Sequence, residues 1–179
     1  MRRLAAGLVV TLGILLGPRL ACAQRTPAAD SLLDRMTGHW VLRGTIDGRA
    51  TTHDVVAEWV LGREYVRLHE VARERSPTGA PAYEAIVYIG RDPVRPGWAC
   101  LWLDSTGDTG LDPRTSAHAD PAQGDSLAFL FRYGNGARFH TTFRYDRSHD
   151  QWLWHLDDET RDGTLQPFAR VTLTRADKP

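Results

Sequence analysis

Three carboxylates fall at alternating positions of apolar segments, where strand geometry would turn them toward a barrel interior. They are Glu58, Glu70 and Asp104. A carboxyl group among aromatic side chains has its pKa raised by desolvation unless it is hydrogen-bonded or paired, and such groups often mark ligand or catalytic sites. Tyr88 is the neutral partner that we consider for them. The alternative is that the three acids lie at the rims in water or pair with arginines.

Seven histidines raise the question of a metal site, which needs three or four ligands converging on one ion. His53 and His69 form the best pair, as diagonal neighbours on adjacent strands. We place both on the outer face without a third ligand, and so predict an exposed, solvated pair, no metal and no cofactor.

Other kinds of reaction centre find little support in the sequence. The acidic run from Asp157 to Glu159 lacks the alternating ligands of a calcium loop and is typical of a solvated hairpin end. There is no Gly-x-Ser-x-Gly turn, no histidine predicted to share a face with a serine, and no phosphate-binding glycine motif. Hydrolase and nucleotide-binding activities are therefore disfavoured.

The first 23 residues are typical of a secretory signal peptide. Arg2 and Arg3 precede an apolar run from Leu4 to Leu16, and Ala21-Cys22-Ala23 forms a small-residue cleavage site. We expect cleavage after Ala23 and export to the periplasm or the medium, with no membrane span left afterwards. A lipoprotein anchored at Cys22 is the second interpretation, which Arg19 disfavours. Residues 24–30 are predicted to be a linker, and residues 31–179 one domain.

Loss of this leader changes charge and cysteine content. It removes three of the 22 basic residues and none of the 22 acidic ones, which leaves a net charge of −3. This balance disfavours nucleic acid as a partner. Cys100 is then the one cysteine left, so no internal disulfide can form. It lies between Trp98 and Trp102 on one strand face, which predicts a buried, inert thiol.

The rest of the chain alternates apolar and polar residues in short segments separated by glycine, proline and aspartate turns. This pattern predicts a single all-β antiparallel barrel of eight to ten strands. The segments are 39–47, 51–60, 63–74, 82–90, 97–104, 114–119, 126–133, 137–146, 151–158 and 166–175. Asp30 or Ser31 is expected to cap a short helix that plugs one barrel end with Leu32, Leu33 and Met36.

Hairpin alignment predicts which side chains share a face. Around the first two turns the expected interior set is Trp40, Leu42, Ile46, Val56, Glu58, Val60, Val66, Leu68 and Glu70. The expected outer set is Arg43, Thr45, His53, Arg67 and His69, together with Trp59 and Tyr65. The turn at 134–136 aligns a second interior set, to which Trp152 and Trp154 add an aromatic wall: Leu127, Phe129, Phe131, Tyr133, Phe139, Thr141, Phe143 and Tyr145.

Several motifs resemble those of calycins, the lipocalin-like barrels. Gly38-His39-Trp40 opens the first strand and Arg175 closes the last, an arrangement in which the arginine of that superfamily packs across the tryptophan. The stretches 59–66, 88–93, 102–105 and 109–110 resemble an uncharacterised bacterial, often secreted, lipocalin-like family over residues 32–175. The last strand is also similar to that of nitrobindins, but Phe168 stands where their iron-ligating histidine would be, which disfavours haem.

A barrel of this size either holds one small ligand or fills itself with side chains. We expect a binding protein for a small apolar or aromatic molecule, with Trp102, Phe131, Phe143 and Trp154 as walls. Glu70 or Asp104, with Tyr88, would orient a polar end. The alternatives are an isomerase or lyase that uses an interior carboxylate, and an interaction module with a filled barrel. The sequence leaves the oligomeric state open.

Overall fold

A computed structural model of the protein describes residues 27–94, 96–107, 116–119 and 123–176, with side chains described from Leu32 onward. The predicted leader, 1–23, residues 24–26 of the predicted linker and the 109–110 motif lie outside these ranges, whereas residues 27–30 of that linker belong to the helix. Among the described residues no helix has the length and apolarity that a bilayer crossing requires.

The described chain forms one helix and ten strands, which confirms the predicted all-β fold. The elements are α1 (Pro27–Met36), β1 (Gly38–Ile46), β2 (Arg49–Val60), β3 (Tyr65–Ala72), β4 (Glu84–Arg91), β5 (Trp98–Asp104), β6 (Ser116–Ala119), β7 (Ser126–Arg132), β8 (Arg138–Asp146), β9 (Gln151–Glu159) and β10 (Leu165–Arg175). The helix begins earlier than the expected cap at Asp30 or Ser31. Pro27 suits the first position because the N–H that proline lacks would be unpaired there.

The ten strands close into an antiparallel barrel in which each strand pairs with its neighbours in the sequence. The first and last strands complete the ring, with Trp40 opposite Arg175 and Ile46 opposite Ala169. The contact between β6 and β7 is the narrowest in the described chain, with His118 and Leu130 as its aligned pair.

The turn between β1 and β2 corrects part of the expected register. Asp47 and Gly48 both have positive φ, 47° and 70°, and pair Ile46 directly with Arg49. This is the geometry that two-residue hairpin turns require. It brings His53, Val55 and Ala57 into the interior, where all three are buried. The expected interior positions of β2 (Val56, Glu58 and Val60) were therefore wrong by one residue, a slip that reverses every side chain of a strand.

The other predicted faces are confirmed except that of Trp59, which was expected outside and instead packs against the core. Val66, Leu68 and Glu70 of β3 are buried, as are Trp40 and Leu42 of β1. In the second hairpin the cross-strand pairs join interior residues, and the adjacent strand adds two fully buried tryptophans. The aligned pairs are Leu127 with Phe143, Phe129 with Thr141 and Phe131 with Phe139. The two tryptophans are Trp152 and Trp154.

The helix plugs one end of the barrel, as its apolar residues predicted. Leu33 and Met36 are almost completely buried in the main core cluster. Two indole N–H groups from the barrel wall donate to carbonyls at the end of the helix. Trp40 Nε1 lies 2.7 Å from the Met36 oxygen, and Trp152 Nε1 lies 3.4 Å from that of Arg35. These bonds use helix carbonyls that have no partner within the helix.

Arg175 ties the helix to the barrel closure. Its guanidinium carbon lies 3.8 Å from the centre of the Trp40 ring, which confirms the expected packing of the arginine across the tryptophan. Arg175 also donates to the Thr37 carbonyl at 2.7 Å and to Asp150 at 3.1 Å. Gly38 makes room for it, because a Cβ there would lie 2.4 Å from Arg175 Nη1.

We expect Arg175→Ala to lower the free energy of unfolding by about 1–3 kcal/mol at neutral pH, the sum of a cation–π contact and partly exposed charged hydrogen bonds. Donation by Arg175, and secondly by Tyr145, holds the pKa of Asp150 below its usual value. Its share of the stability is therefore complete above the unfolded-state pKa of about 3.9 and is lost as the pH falls further.

Urea unfolding at several pH values checks this, with Arg161→Ala in an exposed turn as the control. The gap between wild type and Arg175→Ala should narrow below about pH 4, the ordinary pKa of an aspartate. A gap that stays constant down to acid pH would contradict the ion-pair part of the argument.

Candidate ligand-binding cavity

A cavity of about 840 Å³ occupies the barrel end opposite the helix. Its lining comes from the far ends of the strands and from the hairpins at Asp47 and Asn135. The two ends of the barrel differ because tryptophans, Leu33 and Met36 fill the helix end, whereas small residues line the other. The small lining residues are Ala50, Thr51, Ala72, Ala82, Ala137 and Val171. This volume lies within the range of about 300–1,000 Å³ that is usual for ligand pockets.

Aromatic side chains form one wall of this cavity. Trp102 packs against Trp154 with ring centres 5.4 Å apart, and it meets Phe131 edge-on at 6.4 Å. Phe143 stacks behind Trp154 at 4.5 Å and does not line the cavity. Phe168 lines the mouth in contact with Phe139. The packing of each ring against the next fixes the wall, which offers a preformed surface to a flat or apolar molecule.

A hydrogen-bonded chain of three polar side chains faces this wall. The Thr51 hydroxyl lies 2.7 Å from His53 Nε2, and His53 Nδ1 lies 2.5 Å from Glu70 Oε1. His53 is 4% exposed and Glu70 is 3% exposed. The predicted outer position of His53 was therefore wrong, and the two-residue turn that shifts β2 is the reason. His53 and Glu70 are diagonal neighbours on paired strands, which lets their side chains meet.

The second oxygen of Glu70 is buried and has no hydrogen-bond partner among the described residues. Glu70 lines the cavity. A buried polar atom left without a partner costs free energy. A hydrogen-bond donor inside the cavity would remove that cost.

Tyr83 completes the polar side of the cavity. Its ring stacks on His53 with centres 5.8 Å apart, and its hydroxyl accepts a bond from Trp102 Nε1 at 3.2 Å. Burial, and then the charges of Glu70 and Asp104, raise the pKa of Tyr83 far above its usual value. The phenol is therefore neutral at physiological pH and retains a proton to donate.

Tyr83 occupies the role that we had expected of Tyr88, which lies on the outer face of β4. The alternation of apolar residues along this segment is the sequence signal that distinguishes the two tyrosines. Tyr83 has the same parity as Ala85, Val87 and Ile89, the buried residues of that segment, and Tyr88 does not.

The predicted acids have different environments. Asp104 lines the cavity near its mouth, and its carboxylate accepts a bond from the Thr106 N–H at 2.9 Å. Glu58 is exposed and pairs with Arg67, so its expected interior position was wrong. His69 lies outside, 2.6 Å from Glu84. Of the seven expected ligand-binding residues, the structure brings five to the cavity: Glu70, Trp102, Asp104, Phe131 and Trp154.

Two other predicted features can be placed. Cys100 is fully buried, which raises the pKa of its thiol, so the group stays protonated and unreactive at neutral pH. Within the described ranges no three metal-ligating side chains come together.

Neither a family model nor a curated protein matches the chain. Function is therefore inferred from the geometry of the cavity.

Breaking the Thr51–His53–Glu70 chain at one residue should lower the stability of the protein. Replacing His53 and Glu70 together should lower it much less. We expect His53→Leu to lower the free energy of unfolding by about 3–5 kcal/mol, because it leaves the Glu70 carboxylate buried without its partner. The double variant His53→Leu/Glu70→Leu should recover most of that loss, since apolar residues tolerate burial.

Urea unfolding of both single variants and of the double variant measures this coupling. A double variant less stable than either single variant would mean that the pair is kept for stability and not for a ligand.

Proposed function

We propose that this protein is an exported, lipocalin-like binding protein that holds a small apolar or aromatic molecule in its barrel. The observation that carries the proposal is the aromatic-walled cavity of about 840 Å³ with the polar side chains of His53, Glu70 and Tyr83 at its inner side. Ligand sites generally combine an apolar lining with such polar groups, which orient the bound molecule.

The sequence supports the other parts of the proposal. The apolar run and the small-residue site before Gln24 support export. The contact of Arg175 with Trp40 supports a calycin-like relationship. The open cavity argues against the alternative of an interaction module with a filled barrel, because a filled interior would leave no such volume.

Nile red, a neutral apolar dye, tests the binding function. We expect its fluorescence to rise on addition of the mature protein, with saturation at one dye per chain. Ala72→Trp, which places a large ring in the cavity, should weaken this binding by at least about tenfold, because the dye and the new side chain would compete for one space.

Arg43→Trp is the matched control, since Arg43 is exposed on the outer face of β1 and the same ring there should leave dye binding unchanged. Equal loss in both variants, or no dye binding by folded wild-type protein, would refute the proposed function.

A second candidate is an enzyme that moves protons, of the isomerase or lyase kind. The observation that favours it is the chain Thr51–His53–Glu70 beside the neutral phenol of Tyr83, which supplies a base and an acid to the same cavity. A base held by an orienting carboxylate in a water-poor site is the common arrangement for such chemistry.

A nitrobenzisoxazole probe distinguishes catalysis from binding, because its ring opens when a base removes the ring proton. General-base catalysis predicts an acceleration of about 100-fold or more over buffer. Glu70→Gln should abolish the acceleration while Nile red still binds, and Glu58→Gln on the outer face should change neither. A rate that Glu70→Gln leaves intact would exclude this candidate.

A further inference from the structure

The lining of the cavity carries an excess of negative charge. Five carboxylates line it, against one guanidinium and one imidazole: Asp47, Glu70, Glu74, Asp104 and Asp158, with Arg49 and His53. The excess holds whichever protonation state His53 takes. Neither Asp104 nor Asp158 forms an ion pair with another described residue.

A second and independent observation comes from the innermost acid. Glu70 is 3% exposed, and its Oε2 atom has no partner among the described residues although the residue lines the cavity. His53 already occupies Oε1. When Glu70 is ionised, this oxygen can only accept a hydrogen bond, because a carboxylate presents lone pairs and no proton. A bound molecule that satisfies it must therefore present a donor.

The aromatic wall is the third element. The face of an indole or phenyl ring attracts a positive charge, and the attraction grows when water is displaced. Trp102, Trp154 and Phe131 line the same cavity as the acids, and Asp104 and Asp158 follow the two tryptophans on β5 and β9. An uncharged apolar molecule would use this wall alone, whereas a cation attached to an apolar body would use the wall and the carboxylates together.

We propose that the ligand is an organic ammonium, a protonated amine that carries an aromatic or extended apolar group. Its ammonium group lies among the acidic side chains of Glu70 and Asp104, and its apolar body lies against Trp102 and Trp154. This inference rests on the proposed binding function and narrows it to a ligand class. The same lining repels an organic acid, because like charges in a partly desolvated site disfavour binding.

Three molecules of one shape and different charge test the inference. Tryptamine carries an ammonium at neutral pH, tryptophol replaces it with a hydroxyl, and indoleacetate carries a carboxylate. Isothermal titration of the mature protein should rank tryptamine first, tighter than tryptophol by at least about tenfold, a difference that one charge-assisted hydrogen bond can supply. Indoleacetate should bind most weakly.

Variants that remove one carboxylate each show which side chains give the preference for tryptamine over tryptophol. Asp104→Asn and Glu70→Gln should each reduce the ratio of tryptamine to tryptophol affinity to about threefold or less, because each variant removes one negative charge from the lining. Glu58→Gln, on the outer face and paired with Arg67, should keep the full ratio. Because Asp104 lies near the mouth, its variant gives a result even if Glu70→Gln folds poorly.

The outcomes separate this inference from the binding function itself. Equal affinities for the three molecules, tighter binding of indoleacetate, or Nile red binding with no tryptamine binding would each overturn the ammonium proposal and leave a binder of neutral molecules. Loss of Nile red binding as well would overturn the proposed function from which it starts.

Discussion

The two-residue turn at Asp47 and Gly48 determines which side of β2 enters the barrel, and the site depends on that choice. Because side chains alternate along a strand, a turn longer by one residue would send His53 outward and Glu58 inward. Glu70 would then be buried without the imidazole that now bonds to it. A local constraint, positive φ at two adjacent residues, therefore creates the polar chain on which the proposed ligand recognition depends.

The barrel separates its structural and functional ends. At the helix end, large side chains pack densely and indole N–H groups satisfy the last helix carbonyls. At the other end, small residues leave a cavity and a carboxylate oxygen without a partner. Closed packing at one end stabilises a rigid frame, and this stability permits the incompletely satisfied groups at the other.

Much of this fold is predictable from the sequence, because alternation and turn residues act locally. All ten strands, the plugging helix and the aromatic wall follow from such patterns. The contact of Arg175 with Trp40 was expected from the resemblance to calycins. Which face of β2 points inward does not follow from them. A two-residue turn at Asp47-Gly48 and a three-residue loop over 48–50 fit the same residues until the backbone angles are known. That one ambiguity misplaced His53 and Glu58 together.

The site was predictable only in part, for a related reason. Glu70, Trp102 and Trp154 were found because acids and rings on an inward face are conspicuous. Tyr83 was missed although its parity with Ala85 was readable. The volume of the cavity could not be predicted, because it depends on how many small residues from different strands meet at one level of the barrel.

Because β1 pairs with β10, both ends of the described domain lie on the same side of the barrel. Because Trp40 lies opposite Arg175, the chain enters through α1 and leaves after Ala176 on the same side, away from the mouth. Any tether, surface or fused domain joined to either terminus of this domain would therefore hold the barrel from behind. The opening would face outward and stay accessible to molecules arriving by diffusion.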